Sequence, residues 1–221
     1  MTVESSFPPD SVSGIGRTEA EKNGHYALLS VSDKQGVTDF AKSLVSLGYA
    51  LIATGETGKE LSVGGLSYTP IEEFTGIPES FDGRVKTISF EVGAGILFDR
   101  TNSSHVNQAH KLGVKPISIV TCNLYSTKKA EDPETPLEDL TEIIDVGGAM
   151  LIRSAAKNFR NVLAVVDPQD YNLVSDMLKE NKANLDFRLR LAAKAFSYLS
   201  LYDTQVARLL RSRINYDNII R

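Results

Sequence analysis

Residues 82–87 (DGRVKT) carry two cations, a hydroxyl group and a glycine at a spacing that neither helix nor strand periodicity explains. The guanidinium of Arg84 is a planar fork that fits a phosphate group, and Lys86 adds a point charge that can also act as an acid or a base. Gly83 allows backbone N–H groups to approach a ligand closely, and Thr87 adds a hydroxyl. Short motifs of this kind also occur in solvated turns, so the meaning of this one depends on the rest of the chain.

Small polar loops follow three of the apolar runs that we predict to be strands. They contain, in chain order, Ser30, Ser32 and Lys34; Thr54, Gly55 and Thr57; and Asn123 and Tyr125. Ligands of parallel α/β sheets bind beyond the carboxyl ends of the strands, and a helix N-terminus after such a loop favours an anion. One such loop is a weak signal, because small polar residues also form ordinary turns. Three of them, together with Arg84, Lys86 and Thr87, predict a phosphate pocket.

Asp145 and Gly147 precede a helical run at residues 149–159 that contains Lys157 near its end. One interpretation is a capping aspartate at the start of the helix and a cation near its C-terminus. The other places Asp145 and Lys157 in one site with Lys86. Twelve residues separate Asp145 from Lys157, which is about three helical turns. Helical geometry alone therefore does not bring them together, and the residues by themselves favour the first interpretation.

The elements that must position these residues are predicted as a parallel α/β fold. Near-continuous apolar runs at residues 25–32, 49–54, 117–122 and 161–167 are typical of strands that are covered on both faces. Residues 36–47 have helical apolar spacing and are followed by Gly48, which predicts a strand–helix–strand unit.

Further helices are predicted in the last part of the chain. Asp167 and Pro168 form a helix start, and that helix runs to about residue 181. Residues 185–214 predict one or two helices that pack on the sheet or on a second subunit. Their apolar stripe consists of Leu185, Leu189, Ala192, Phe196, Leu199, Val206 and Leu210.

The composition is typical of a globular protein. The 221 residues have a net charge of −4 and a single cysteine, Cys122, which argues against a nucleic-acid partner and against an internal disulfide or multi-cysteine metal site. No apolar run approaches the ~20 residues of a membrane span, and the N-terminus lacks a signal core. We therefore expect a cytoplasmic protein with a flexible tail at residues 1–23 and one domain at residues 24–221.

The order of the motifs resembles the inosine monophosphate (IMP) cyclohydrolase domain of the bifunctional purine-biosynthesis enzymes. The motifs are SVSDK at residues 30–34, TGET at 54–57, DGRVKT at 82–87, NLY at 123–125, IDVGG at 144–148 and RSAAKN at 153–158. This resemblance implies a methylglyoxal-synthase-like three-layer α/β/α fold with a mainly parallel sheet. It also implies dehydrative closure of 5-formamidoimidazole-4-carboxamide ribotide to IMP, without a metal or redox cofactor.

The resemblance also implies roles for individual residues. In the reacting centre, Asp145 orients or deprotonates the carboxamide, and Tyr125 positions or polarises the substrate. Lys86, Lys157 and a backbone N–H near Asp145 stabilise the oxyanion that develops on the formyl group. The phosphate and the rest of the nucleotide are bound by Ser30, Ser32, Lys34, Thr54, Gly55, Thr57, Arg84, Thr87, Asn123 and Gly147.

Three departures from the family pattern lie beside the expected pocket. Glu56 stands where the family has glycine, residues 88–93 lack two histidines and a proline, and Ser126 and Thr127 replace Pro-Phe. A carboxylate at position 56 repels a phosphate unless it points away or pairs with a cation. Two alternatives therefore stay open: a diverged paralogue that closes a related purine-like heterocycle or acts on a nucleoside, and a non-catalytic nucleotide-binding module.

The resemblance also predicts partners. Family relatives are dimers, and the apolar C-terminal helices offer an interface for a homodimer. The family's folate-dependent formyltransferase domain needs several hundred more residues, so the resemblance implies ring closure alone. It leaves room for a separate formyltransferase protein.

Overall fold

The computed structural model describes residues 25–126 and 135–214. The predicted tail at residues 1–23 and the departure at Thr127 lie outside these ranges. Five parallel strands form one sheet in the order β3-β2-β1-β4-β5. Their bounds are Tyr26–Val31 (β1), Ala50–Ala53 (β2), Thr69–Pro70 (β3), Ile117–Asn123 (β4) and Leu163–Val165 (β5).

The four predicted strands are all present, and the edge strand β3 has no counterpart among them. In the register of the sheet, Leu29 pairs with Ala53 on one side and Thr121 on the other. The carboxyl ends of β1, β2 and β4 therefore lie close together at one edge of the sheet. The loops with the predicted phosphate-binding residues begin at this edge.

Helices cover both faces of the sheet, which confirms the predicted α/β/α fold. They are Val37–Ser46 (α1), Gly55–Val63 (α2), Ile71–Thr75 (α3), Phe90–Leu97 (α4), Ser103–Lys111 (α5), Leu137–Ile143 (α6), Gly147–Lys157 (α7), Tyr171–Lys179 (α8) and Leu185–Ser212 (α9). A 3₁₀ turn at Pro168–Asp170 leads into α8, and the Asp167 side chain caps it by accepting the Gln169 N–H. The predicted helix start at Asp167 and Pro168 is thus confirmed.

Alternate side chains of the strands enter two different hydrophobic cores. In β1, Tyr26 and Leu28 pack with α4, α7 and α9 on one face. Ala27 and Leu29 pack with α1 and α8 on the other face. Because both faces are buried, every strand position favours an apolar residue, and this accounts for the continuous apolar runs in the sequence.

The C-terminal segment is one helix, α9, and it packs on α7 and β5. The predicted apolar stripe is partly wrong. Ala192 and Leu199 are buried, whereas more than 40% of the surface of Leu185, Leu189, Phe196 and Leu210 is exposed. The buried face instead includes Phe187, Leu191, Ala195, Tyr202 and Leu209.

The stripe prediction failed because apolar residues occur on more than one side of this helix, so helical spacing alone does not identify the buried side. Small Ala195 and polar-tipped Tyr202 are both on the face that packs against the domain.

Within residues 25–126 and 135–214, none of the helices is both long enough and apolar enough to cross a lipid bilayer.

Candidate active site

A cleft of about 470 Å³ opens at the carboxyl ends of β1, β2 and β4. The loops after these strands form part of its wall, and the turn at residues 79–87, the end of α6 and the N-terminus of α7 form the rest. The structure brings every predicted site residue except Lys157 to this cleft. These residues are Ser30, Ser32, Lys34, Thr54, Gly55, Thr57, Arg84, Lys86, Thr87, Asn123, Tyr125, Asp145 and Gly147.

Asn123, at the end of β4, holds the loop between β1 and α1. Its Oδ1 accepts hydrogen bonds from the N–H groups of Ser32 at 2.7 Å and Asp33 at 2.8 Å, and its Nδ2 donates to the Asp33 carbonyl at 3.1 Å. These contacts leave the amide little capacity for a ligand. Asn123 therefore shapes the loop that presents Ser32 and Lys34 to the cleft.

The hydroxyl of Thr57 is already engaged with β1. Thr57 is 2% exposed, and its Oγ1 accepts from the Val31 N–H at 3.0 Å and donates to the Val31 carbonyl at 3.2 Å. The side chain therefore fixes the first turn of α2 against the end of β1. By contrast, Thr54 donates to Ser30 Oγ at 2.9 Å, which leaves hydroxyl lone pairs free in the cleft.

Replacement of Thr57 by valine tests this structural role. Thr57→Val keeps the shape and removes both hydrogen bonds, so the buried Val31 N–H loses its partner. We expect the free energy of unfolding in denaturant to fall by about 1–3 kcal/mol. Thr57→Ser retains the hydroxyl and loses one buried methyl group, worth about 0.8 kcal/mol. A Thr57→Val protein as stable as the wild type would contradict the assignment.

Arg84 and Lys86 are presented by a tight turn. Ser80 and Val85 exchange backbone hydrogen bonds of 3.1 and 3.2 Å, and between them Gly83 has φ +90°, where a side chain is strained. A Cβ at Gly83 would also lie 2.6 Å from the Glu79 carboxylate. Arg84 forms an ion pair with Glu142, but both side chains are more than half exposed. Such pairs contribute little stability, so Arg84 can exchange its partner for a phosphate.

Asp145 is both a capping residue and part of the cleft wall. Its Oδ1 accepts the Gly148 N–H of α7 at 2.7 Å, as the first sequence interpretation predicts. Burial raises the pKa of Asp145, while the Gly148 N–H and the positive charge of Lys86 act in the opposite direction. The second interpretation is therefore also met in part, because Asp145 and Lys86 interact electrostatically in one cleft.

Lys157 does not join them, and the implied position of this residue is corrected. It is the exposed last residue of α7, a helix that begins at the cleft and rises by about 1.5 Å per residue. The adjacent Asn158 donates to the carbonyls of Ile96 and Phe98 at 2.7 and 3.1 Å, at the far end of the domain. Lys157 therefore occupies the C-terminal end of the helix dipole, where a cation is favourable.

Glu56, the unexpected carboxylate, has a cationic partner. It lies 2.5 Å from the Lys59 ammonium one turn later in α2, and both side chains are at least 70% exposed. The hydrogen bond and charge of Lys59 lower the pKa of Glu56, with a smaller contribution from Lys34. The pairing with Lys59 partly neutralises this carboxylate at the rim of the cleft.

Several residues of the site gave no signal in the sequence. Glu79 and Glu142 line the cleft beside the two cations of the turn. Tyr198 and Tyr202 of α9 hold the backbone of the cleft wall from the interior side. The Tyr198 hydroxyl accepts a hydrogen bond from the Leu124 N–H at 2.9 Å, and the Tyr202 hydroxyl accepts one from the Asp145 N–H at 2.7 Å. In the described part of the chain, no group of three or more His, Cys, Asp and Glu side chains is placed to hold a metal ion.

Comparison with known proteins identifies the family. The family model of the MGS-like domain matches residues 36–150, and that of the AICARFT/IMPCHase bienzyme matches residues 155–220. The bifunctional purine biosynthesis protein PurH of Lactiplantibacillus plantarum is 46% identical over 83% of this chain and 36% of its own length. PurH of Acetivibrio thermocellus is 44% identical over 86% of this chain and 38% of its own length.

The crystal structure of ForH is also similar, with a TM-score of 0.75 and 34% identity over 84% of this chain and 96% of that one. The chain spans a little over a third of the length of the curated relatives named above. These matches confirm the resemblance carried by the motifs. The chain belongs to the MGS-like domain family, and its C-terminal part matches the AICARFT/IMPCHase bienzyme family.

Proposed function

We propose that this protein closes 5-formamidoimidazole-4-carboxamide ribotide to IMP with loss of water. One observation carries the proposal: Lys86, Tyr125 and Asp145 converge on the same cleft as a set of phosphate-type loops. The relatives named bifunctional purine biosynthesis protein support a purine precursor as the substrate.

The phosphate end of the substrate fits the part of the cleft beside β1 and β2. Lys34 and Arg84 supply positive charge, and Ser32 and Thr54 supply hydroxyl groups on its wall. The N-terminus of α2 opens at Gly55 on the same side, where unpaired N–H groups favour an anion. A ribotide bound in this way directs its base toward β4 and α7.

The reacting end of the substrate then meets Asp145 and Lys86. In ring closure, the carboxamide nitrogen forms a bond to the formyl carbon, and negative charge develops on the formyl oxygen. Asp145 accepts the proton that leaves the nitrogen. The Lys86 ammonium and the N-terminus of α7 stabilise the oxyanion.

Loss of water completes the reaction. The former formyl oxygen gains two protons and departs as water, while the nitrogen of the former formamide loses its proton and forms the C=N bond of the new ring. Lys86 and the phenol of Tyr125, which both line the cleft, are the donors that we assign to the departing oxygen. Every proton in this scheme moves between substrate, side chain and water, so the proposed reaction needs no redox partner.

The proposal is tested by adding the formamido ribotide to the folded protein and following the absorbance of IMP. We expect turnover well above the rate of the ribotide alone. Product identity is checked by chromatography against authentic IMP. A folded protein that gives no more IMP than the buffer would exclude this activity and favour the binding module.

The alternative of a nucleoside substrate depends on repulsion by Glu56. Because Glu56 pairs with Lys59, we expect calorimetry to show that IMP binds about 100-fold more tightly than inosine, the effect of one to two charge-assisted hydrogen bonds at about 1.5–3 kcal/mol each. Equal affinities would instead favour the nucleoside version of the alternative. Measuring both affinities at low and high salt separates the contribution of surface charges, which salt screens, from that of contacts within the cleft.

A further inference from the structure

Two tyrosines of α9 bond to the backbone of the cleft wall from the protein interior. Tyr198 and Tyr202 are four residues apart, so they project from the same side of the helix. Tyr202 is 6% exposed and belongs to the core between the sheet, α7 and α9, and Tyr198 packs against that core. Burial raises the pKa of both phenols, so they remain neutral and able to donate and accept hydrogen bonds.

Tyr202 holds the segment that leads into α7. Its hydroxyl accepts the Asp145 N–H at 2.7 Å and donates to the Ile143 carbonyl at 3.4 Å. Asp145 is also held through its side chain, which accepts the Gly148 N–H at 2.7 Å. Backbone and carboxylate of Asp145 are thus fixed by two separate elements, α9 and α7.

Tyr198 holds the neighbouring wall. Its hydroxyl accepts the N–H of Leu124 at 2.9 Å, the residue between Asn123 and Tyr125. Leu124 also packs closely on α7, since a Cβ at Gly148 would lie 2.6 Å from Leu124 Cδ2 and 2.7 Å from Asp145 Oδ2. The two segments fixed by the phenols therefore contact each other where both meet the cleft.

We propose that Tyr198 and Tyr202 are positioning residues of the reacting centre, which set Tyr125 and Asp145 at their working places through the backbone. This inference rests on the proposed ring closure. The phosphate side of the cleft is held by other contacts, those of Asn123 with the β1–α1 loop and of Thr57 with Val31. Loss of the Tyr202 hydroxyl is therefore expected to affect the reaction step and to spare nucleotide binding.

The test is Tyr202→Phe, which keeps the packed ring and removes the hydroxyl. A displacement of about 1 Å at a reacting group costs up to about 100-fold in rate, so we expect kcat to fall about 10- to 100-fold. We expect KM for the ribotide to stay within about threefold of wild type. A general loss of structure would instead impair kcat and nucleotide binding together. Tyr198→Phe is expected to lower kcat as well, because its hydroxyl holds the Leu124 N–H next to Tyr125.

Tyr171→Phe is the matched control. Tyr171 is a buried tyrosine, 4% exposed, whose hydroxyl is buried without a hydrogen-bond partner in the described ranges. Its ring stacks on Phe40 at 4.5 Å, and this packing survives the substitution. We expect wild-type kcat and KM from Tyr171→Phe. Wild-type kcat in both Tyr202→Phe and Tyr198→Phe would overturn the proposal.

A crystal structure of Tyr202→Phe gives a readout that is independent of turnover. We expect the Asp145 carboxylate to be displaced from its wild-type position, with Thr54 and Lys34 unmoved. If the wild-type protein shows no ring closure, the proposed function fails, and this structure still decides whether Tyr202 positions Asp145. An Asp145 carboxylate that stays in place overturns the inference. If Tyr202→Phe does not fold, the same comparison is made at Tyr125 in Tyr198→Phe.

Discussion

Asp145→Asn is expected to lower kcat for ring closure by about 10²- to 10⁴-fold, the usual contribution of a positioned acid or base. The substitution removes the proton acceptor and keeps the oxygen that caps α7 by accepting the Gly148 N–H. Asparagine and aspartate are about equally good in such caps, so we expect α7 to stay intact and the loss of rate to come from the missing proton acceptor. The measurement is steady-state kinetics with the formamido ribotide, and KM is expected to stay within about threefold of wild type.

The same substitution is expected to raise the free energy of unfolding at pH 7. Burial raises the pKa of Asp145 in the folded protein, so folding favours the protonated form of this carboxyl. Its contribution to stability is therefore present at low pH and is lost as the pH rises through the folded-state pKa. The asparagine side chain of the variant is neutral at every pH and free of this penalty. Denaturant unfolding at pH 7 checks the sign.

Asp176→Asn is the matched control, since it makes the same chemical change at an exposed residue whose carboxylate lies 3.8 Å from Lys179 on α8. We expect unchanged kcat from this variant. An Asp145→Asn enzyme with wild-type kcat would remove Asp145 from the proposed chemistry. A variant that is both slower and less stable would instead point to damage of the cap.

The features of the sequence that predict the fold are those set by local physics. Strands β1, β2 and β4 are buried on both faces, and continuous apolar runs record this directly. The loops after them must supply small polar residues to any anion at the carboxyl edge, and such residues are visible in the sequence. Strand β3 has only two residues, Thr69 and Pro70, which is too short for any period to appear.

The parts of the site that depend on distant contacts could not be predicted. The partners of Tyr198 and Tyr202 are 74 and 57 residues away along the chain, and nothing near either tyrosine indicates them. The sequence predicts Asn123 as a ligand contact. The structure shows that its side chain is hydrogen-bonded to the backbone of Ser32 and Asp33. The sequence assigns Lys157 to the site because of the motif in which it stands. The structure places it at the C-terminal end of α7, whereas the cleft lies at the N-terminal end of that helix.

Lys86→Met is expected to lower kcat by about 10²- to 10³-fold, the usual cost of removing one donor to a developing oxyanion. It is also expected to move the acid limb of the kcat–pH profile to higher pH. The positive charge of Lys86 lowers the pKa of Asp145, so its removal makes the base harder to ionise, and activity then falls at a higher pH. Cys122, Tyr198 and Tyr202, the other titratable groups coupled to Asp145, remain neutral because burial raises their pKa values.

Lys86→Arg separates the two effects. The arginine keeps a positive charge beside Asp145, so the acid limb is expected to stay near its wild-type position. Its planar fork does not place a donor where the compact ammonium stands, so kcat is expected to remain low. Lys179→Met, which removes the exposed ammonium opposite Asp176, is the control with unchanged kcat and an unchanged profile. If Lys86→Met lowers kcat without moving the acid limb, Lys86 acts on the substrate alone, and the coupling between Lys86 and Asp145 has no part in catalysis.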